Sequence, residues 1–153
     1  MSKRSIVAMG LIAMAVALGS SNAWALEIRT ACSSAGQNFP TSGPSVSFHG
    51  VQTTQGHWTN STTLKIDSGS LTVNAQGIVC SYSVDTTASS ASVFNSDGTG
   101  TTTIAWTPAS GNPTSCEGAF SAHSAFTSTG ASSYIFVETD PDETAGGSCV
   151  NSL

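Results

Sequence analysis

The sequence predicts an all-β domain, either an antiparallel β-sandwich or a small Greek-key barrel of about 7–8 short strands stapled by disulfides. Apolar residues recur at every second position in several segments, which is the spacing of side chains on one face of a pleated strand. Clusters of glycine, asparagine and proline separate these segments, as turns separate strands. No segment carries a convincing helical period, and a helix competes only in residues 116–126.

The clearest alternation lies in residues 63–84. It has three runs, which are Leu64 and Ile66, then Leu71 and Val73, then Ile78, Cys80, Tyr82 and Val84. D-S-G-S at 67–70 and N-A-Q-G at 74–77 separate the runs, and both consist of residues that favour tight turns. We therefore predict three short antiparallel strands joined by two hairpins, with Cys80 on the buried face.

The first 25 residues have the composition of a cleaved secretory signal peptide. A basic head precedes an apolar run from Ile6 to Leu18, and small residues stand at positions 23 and 25. Cleavage after Ala25 leaves one secreted β-domain over 26–153, of 153 − 25 = 128 residues. The alternative is an uncleaved anchor, which is disfavoured because the apolar run is short for a bilayer span, and no later segment is apolar enough to insert into a membrane. The predicted location is secreted or periplasmic.

Signal removal makes the chain acidic. Arg29 and Lys65 remain as permanent cations against nine carboxylates, so the formal net charge becomes 2 − 9 = −7. Nucleic acid is excluded as a partner, because phosphate binding needs a basic stripe that two cations cannot make. An anionic membrane surface is disfavoured for the same reason.

All four cysteines follow the signal, and an even count in an exported chain indicates two disulfides. Three pairings are possible. We favour Cys80 with Cys116 inside the domain and Cys32 with Cys149 across its ends, because the outer pair flanks every predicted strand. Zinc or redox chemistry would call for close C-x-x-C pairs, which the sequence lacks. No cofactor is expected.

The region before the central strands is predicted to be largely irregular. Residues 26–44 contain two prolines and several serines, which indicates an irregular lead-in pinned by Cys32. Val46 and Phe48 indicate a short strand. Residues 49–60 contain two glycines and are predicted as a loop or an irregular hairpin.

The region after the central strands alternates between strands and turns. Strands are predicted at 93–94, at 101–107 with Ile104 and Trp106 on one face, and from Cys116 to Ala122. Turns are predicted at 95–100, 108–113 and 128–133. Tyr134 to Val137 is apolar on both faces, which is typical of a central strand. The acidic tail is expected to be flexible up to Cys149.

The strongest candidate binding site is the segment 49–60. It gathers His49, Gln52, Gln55, His57, Trp58 and Asn60. A flat aromatic face with fixed polar groups suits a carbohydrate, because the ring stacks on the sugar and the polar groups bind its hydroxyls. The alternative is that Trp58 plugs the end of the core, as a tryptophan beside a sheet commonly does.

The acidic stretch near the end of the chain is a weak candidate for calcium. Its carboxylates are Glu138, Asp140, Asp142 and Glu143. Hard cations take several carboxylate oxygens, but the spacing does not match the twelve-residue calcium loop. A solvated acidic loop is the alternative.

Catalysis is disfavoured. There is no G-x-S-x-G nucleophile elbow, and His49, His57 and His123 lack metal-ligand spacing. Asp140 and Glu117 supply two carboxylates for glycoside hydrolysis, but nothing in the sequence indicates a shared cleft.

Three functional hypotheses follow. The preferred one is a non-catalytic module that binds carbohydrate or cell-surface material through residues 49–60. The second is a structural or protein-interaction module, such as a surface component or an inhibitor of an extracellular enzyme, engaged through a strand edge or the acidic tail. The third is a small hydrolase.

Overall fold

The computed structural model describes residues 26–38, 44–141 and 143–153, and these form nine β-strands without a helix. The strands are β1 (Glu27–Asn38), β2 (Val46–Trp58), β3 (Thr63–Ala75), β4 (Ile78–Val84), β5 (Ala91–Phe94), β6 (Thr99–Pro108), β7 (Phe120–Ser128), β8 (Ser133–Glu138) and β9 (Glu143–Ser152). The predicted signal peptide lies outside the described residues. Within them no helix is long and apolar enough to cross a membrane.

The strands close into an eight-stranded antiparallel barrel. Each of β1 to β3 pairs with its successor, as does each of β6 to β8, and β9 pairs back with β1. Between β3 and β6, strands β4 and β5 share one position, since both pair with both neighbours at different heights. The prediction of a small antiparallel barrel is confirmed. Its strands follow one another around the wall instead of crossing as in a Greek key, and the longest, β2 and β3, have 13 residues each.

The described part of the chain begins and ends with a strand. The prediction of an irregular lead-in was therefore wrong for Glu27–Asn38, while 39–43 lie outside the described residues, and the prediction of a flexible tail was wrong for Glu143–Ser152. The 12-residue β1 pairs with β2 on one side and with β9 on the other. These two strands lack apolar alternation because their inward positions hold small residues and cysteine. At Gly147 of β9, for example, a Cβ atom would lie 2.0 Å from the Ser33 carbonyl oxygen and 2.9 Å from the Phe136 ring. Close packing here depends on the absence of side chains.

The turn at 74–77 is confirmed, whereas the turn at 67–70 is a β-bulge inside β3. Gln76 and Gly77 have φ angles of 52° and 84°, as a tight hairpin of this kind requires. At the bulge, Gln55 pairs with Ser68 and Gly56 with Ile66, so Asp67 is an extra residue. The expected loop over 49–60 was also wrong, because β2 runs through it to Trp58.

The core fills the barrel interior. Trp106 is 1% exposed and packs with Ile66, Tyr82 and Ile104. Four aromatic rings form a chain elsewhere in the molecule, in the order Trp58, Phe94, Phe126 and Tyr134, with centroids 4.9 to 5.1 Å apart.

Both predicted disulfides are confirmed. Cys32 is bonded to Cys149, and Cys80 is bonded to Cys116. The first bond joins β1 to β9, and the second joins β4 to the loop between β6 and β7. Two such bonds are characteristic of a protein of an oxidising compartment.

Strand β8 is apolar on both faces although it is not covered on both. Its inward residues are Tyr134 and Phe136, while Ile135 and Val137 point outward and are 49% and 57% exposed. The segment is a strand that pairs on both sides, as predicted for a central strand, but its outer face is not covered. A barrel has only one inner face, so the outer apolar side chains meet solvent.

Candidate functional site

A groove of about 420 Å³ lies over β1, β2 and β3. Its lining is almost entirely hydroxyl, amide and backbone, with one guanidinium group. The lining residues are Arg29, Thr30, Ala31, Thr53, Thr54, Gln55, Ser68, Gly69, Ser70 and Ser152. The volume is in the range of pockets that hold small ligands.

The bulge in β3 shapes this groove. The extra residue Asp67 locally bends the strand, as bulges do. Directly after it, Gly69 brings the β3 backbone close to β2, since a Cβ atom there would lie 2.5 Å from the Thr53 carbonyl oxygen. Gly69 pairs with the buried Thr54, so only its backbone lines the groove, between the exposed Ser68 and Ser70.

The polar groups of the groove are partly held in place by each other. The hydroxyl oxygens of Thr53 and Ser70 are 3.0 Å apart, and the Ser68 hydroxyl donates to Gln55 Oε1 at 3.2 Å. Arg29 donates through Nε to Glu27 at 3.3 Å, and its side chain is 64% exposed. The other guanidinium N–H groups and the Gln55 amide are donors of the kind that hydroxyl or carboxylate groups of a ligand accept.

The structure does not bring the six predicted binding residues onto one surface. Gln55 lines the groove. His57 points outward on the same strand and contacts Asp67, with Nδ1 2.5 Å from Oδ2. His49 is exposed on the outer wall, further along β2. Asn60 lies in the β2–β3 turn, where its side-chain oxygen accepts from the Thr62 backbone N–H at 2.9 Å.

The two remaining residues of that set, Gln52 and Trp58, belong to the interior. Gln52 lines an internal cavity of about 30 Å³ together with Thr102, Ser124 and Glu138. This volume suits a water molecule and is far below that of a ligand pocket. The Trp58 ring is half-buried and contacts Phe94 at 5.0 Å. This contact matches the packing role that was the alternative for Trp58.

Three of the four predicted calcium residues lie close together. Carboxylate oxygens of Glu138, Asp140 and Glu143 lie within 4.8 Å of one another, while Asp142 lies outside the described residues. Both Asp140 oxygens already accept hydrogen bonds from His123, one from the backbone N–H and one from Nδ1, each at 2.8 Å. Burial, helped by the charges of Glu143 and Asp140, raises the pKa of Glu138 to about 8, so this carboxyl is mainly protonated at neutral pH. Calcium binding stays a prediction, and we do not identify these groups as ligands.

Two histidine–aspartate pairs resemble parts of a catalytic triad but lack a nucleophile. His57 pairs with Asp67 and His123 pairs with Asp140. Among the described residues, neither ring forms a hydrogen bond with a serine, threonine or cysteine side chain. A nucleophile–base contact is the first geometric requirement of triad chemistry, and neither pair meets it.

The sequence interpretation missed most of the groove. Arg29 fell in the segment read as an irregular lead-in, and Ser68 and Ser70 fell in the predicted turn. The sequence did contain a signal for the bulge. The alternating apolar residues are at even positions before D-S-G, at Leu64 and Ile66, and at odd positions after it, at Leu71 and Val73. A bulge adds one residue and produces this shift. No protein-family model and no curated protein sequence matches this chain.

Proposed function

We propose that this chain is a secreted or periplasmic, non-catalytic module that binds a hydroxyl-rich ligand, such as a glycan of a cell surface. The observation that carries the proposal is the polar groove of about 420 Å³ over β1, β2 and β3. Its lining offers hydroxyl groups, one amide and one guanidinium on a rigid sheet. Small fixed donors and acceptors of this kind recognise sugar hydroxyls.

The proposed ligand site differs from the segment 49–60 as a whole. Of the six residues predicted in that segment only Gln55 lines the groove, where it lies with Arg29 and Ser70; the segment also contributes Thr53 and Thr54. Because Trp58 packs against Phe94, stacking on a sugar ring is not part of the proposal. Recognition instead rests on hydrogen bonds, which favours a ligand with many hydroxyl groups or an acidic sugar that pairs with Arg29.

The test fills the groove without touching the core. Ser70 is exposed on β3, and Ser70→Tyr places a ring in the groove at a position where strands accept aromatic residues. We expect retention on an immobilised glycan array to fall at least about tenfold, equivalent to about 1.4 kcal/mol of binding free energy. Ser121→Tyr is the matched control, because Ser121 is an exposed serine on β7 outside the groove. It should leave retention unchanged.

Equal retention of the two variants would contradict the groove as the site. An array on which the unmodified protein is retained by no glycan would contradict the ligand class. Both variants should have the melting temperature of the unmodified protein, because Ser70 and Ser121 are exposed and substitutions at exposed positions change stability little. Equal melting temperatures ensure that a loss of retention reports on binding and not on folding.

A second candidate is a structural or protein-interaction module. Exposed apolar side chains on the outer wall favour it, among them Val51, Val137 and Val150, which are 57% to 61% exposed. Engagement through a free strand edge fits less well, because each of the nine strands pairs on both sides over part of its length.

A further inference from the structure

The inner face of the barrel carries a row of polar side chains across four neighbouring strands. Ser92 on β5 pairs with Thr102 on β6, Thr102 pairs with Ser124 on β7, and Ser124 pairs with Glu138 on β8. All four positions lie on the strand face that also carries the buried residues of each strand. Directly paired residues on one face of antiparallel strands have Cβ atoms about 4.5–5.5 Å apart, so each side chain is within reach of the next.

A second inward row runs over the opposite half of the wall. Gln52 on β2 pairs with Cys32 on β1, Cys32 pairs with Cys149 on β9, and Cys149 pairs with Tyr134 on β8. Members of both rows line the internal cavity of about 30 Å³, namely Gln52, Cys149 and Tyr134 from the second row and Thr102, Ser124 and Glu138 from the first. Polar side chains from two sides of the barrel therefore converge on one small space.

Some of these polar groups already have protein partners, and one does not. The Thr102 hydroxyl lies 2.7 Å from that of Ser92, and the Tyr134 phenol shares a hydrogen bond with Thr30. By contrast, Glu138 Oε2 is buried and makes no hydrogen bond with any described residue. Buried polar atoms are nearly always hydrogen-bonded, because an unpaired one loses its bonds to water without replacement.

Glu138 is suited to bind a neutral polar molecule. Burial, helped by the charges of Glu143 and Asp140, raises the pKa of this carboxyl to about 8, so at neutral pH it mainly keeps its proton. A protonated carboxyl donates and accepts hydrogen bonds, as water does. A cation in the cavity would have to displace that proton, whereas water does not.

We propose that the cavity is a binding site for one water molecule, which bridges Glu138 Oε2 to the Ser124 hydroxyl and the Gln52 side-chain amide. The volume equals the share that one molecule has in liquid water, and three protein groups supply the usual number of hydrogen bonds to a buried water. Ser124 is the direct cross-strand neighbour of Glu138. Gln52 otherwise makes only a long contact, from Nε2 to Cys32 Sγ at 3.8 Å. The water joins β8 to β2 through the interior, although these strands are not neighbours in the sheet.

Oxygen-17 magnetic relaxation dispersion tests the proposal by counting the water molecules that stay bound for longer than the protein takes to tumble. Ser124→Val fills the cavity with methyl groups, and we expect the count to fall by one relative to the unmodified protein. Ser121→Val is the matched control, because Ser121 lies on the same strand with its side chain exposed on the outer face. It should leave the count unchanged.

A second pair of variants separates hydrogen bonding from space. Glu138→Met removes the polar partner at similar length and should also lower the count by one. Glu138→Gln keeps a donor and an acceptor and should retain the water.

A crystal structure of the unmodified protein decides the question even where a variant fails to fold. It should show a water oxygen within about 3.2 Å of Glu138 Oε2. A direct bond from this atom to a protein group in place of the water, equal counts for the unmodified protein and Ser124→Val, or equal counts for Glu138→Met and Glu138→Gln would overturn the proposal. None of these outcomes depends on glycan binding.

Discussion

Glu138 is the last residue of β8, and its side chain lies between the barrel interior and the carboxylates of Asp140 and Glu143. Its Oε2 atom is buried and makes no hydrogen bond with any described residue. The side chain lines the internal cavity beside Tyr134, whose pKa is raised to about 12 by burial, so the neighbouring phenol stays protonated. The two charged groups that face Glu138 are Asp140 and Glu143, and both oppose its ionisation.

The raised pKa of Glu138 predicts a pH-dependent stability. The carboxyl has an ordinary pKa of 4.5 and a folded-state pKa of about 8, so between these values the folded protein binds a proton that the unfolded chain releases. The contribution of this group to the free energy of unfolding should therefore be full below about pH 4.5 and fall as pH rises toward 8. After allowance for its partial exposure, we expect a loss on the order of 2 kcal/mol.

Urea unfolding from pH 5 to pH 8.5 measures this loss. Glu138→Gln keeps the group neutral and should flatten the profile relative to the unmodified protein. Glu27→Gln changes an exposed carboxylate of the same type and should leave the profile parallel to that of the unmodified protein. Parallel profiles for all three proteins would show that Glu138 ionises normally in the folded state.

At the scale of elements, the loop between β6 and β7 takes the place of a strand beside β4. Only Tyr82 to Val84 of β4 pair with β6. Beyond them the Asn112 side chain donates to the Ser81 carbonyl at 2.8 Å and accepts from the Ser81 N–H at 3.0 Å. Together with the Cys80–Cys116 bond, these contacts hold the loop over an otherwise open strand edge. The predicted strand from Cys116 therefore begins only at Phe120.

Removing the Asn112 amide measures how much its two hydrogen bonds contribute to the free energy of unfolding. Asn112→Ala leaves the Ser81 backbone N–H without a partner, while the Ser81 carbonyl still accepts from the Ala109 N–H at 2.8 Å. An unpaired, partly buried N–H costs about 1–3 kcal/mol. Thr114→Ala, an exposed change in the same loop, should cost less than about 0.5 kcal/mol. Denaturant unfolding checks both, and equal stability of the two variants would mean that water replaces the amide without loss.

At the scale of the whole molecule, the fold class and the disulfide pairing could be predicted from sequence, but the closure of the sheet could not. Alternation is strong wherever inward residues are large, as in β4 with Tyr82 and Val84. It is absent in β1 and β9, where the inward positions hold small residues and the Cys32–Cys149 bond. β1 and β9 form strands because each makes backbone hydrogen bonds with a neighbouring strand on both sides. These neighbours are distant in the sequence, so the local hydrophobic pattern does not predict the pairing.

The candidate site was predictable only in part for the same reason. Gln55 was identified from its own segment, whereas Arg29 and Ser70 reach the groove through the pairing of β1 and β3 with β2. The exposure of Ile135 and Val137 on β8 could not be predicted, because in the sequence they look like core residues. Outward and inward apolar residues have the same composition, and only the closed topology distinguishes them.

Hydrogen exchange of the backbone amides in β1 and β9 tests the barrel most directly. Because these strands pair on both sides, the amides of 29–37 and 144–151 should be protected to an extent comparable with the paired amides of β3 and β4. Exchange of both segments at the rate of an unstructured peptide, with β3 and β4 still protected, would contradict closure of the barrel and with it the groove that β1 helps to form.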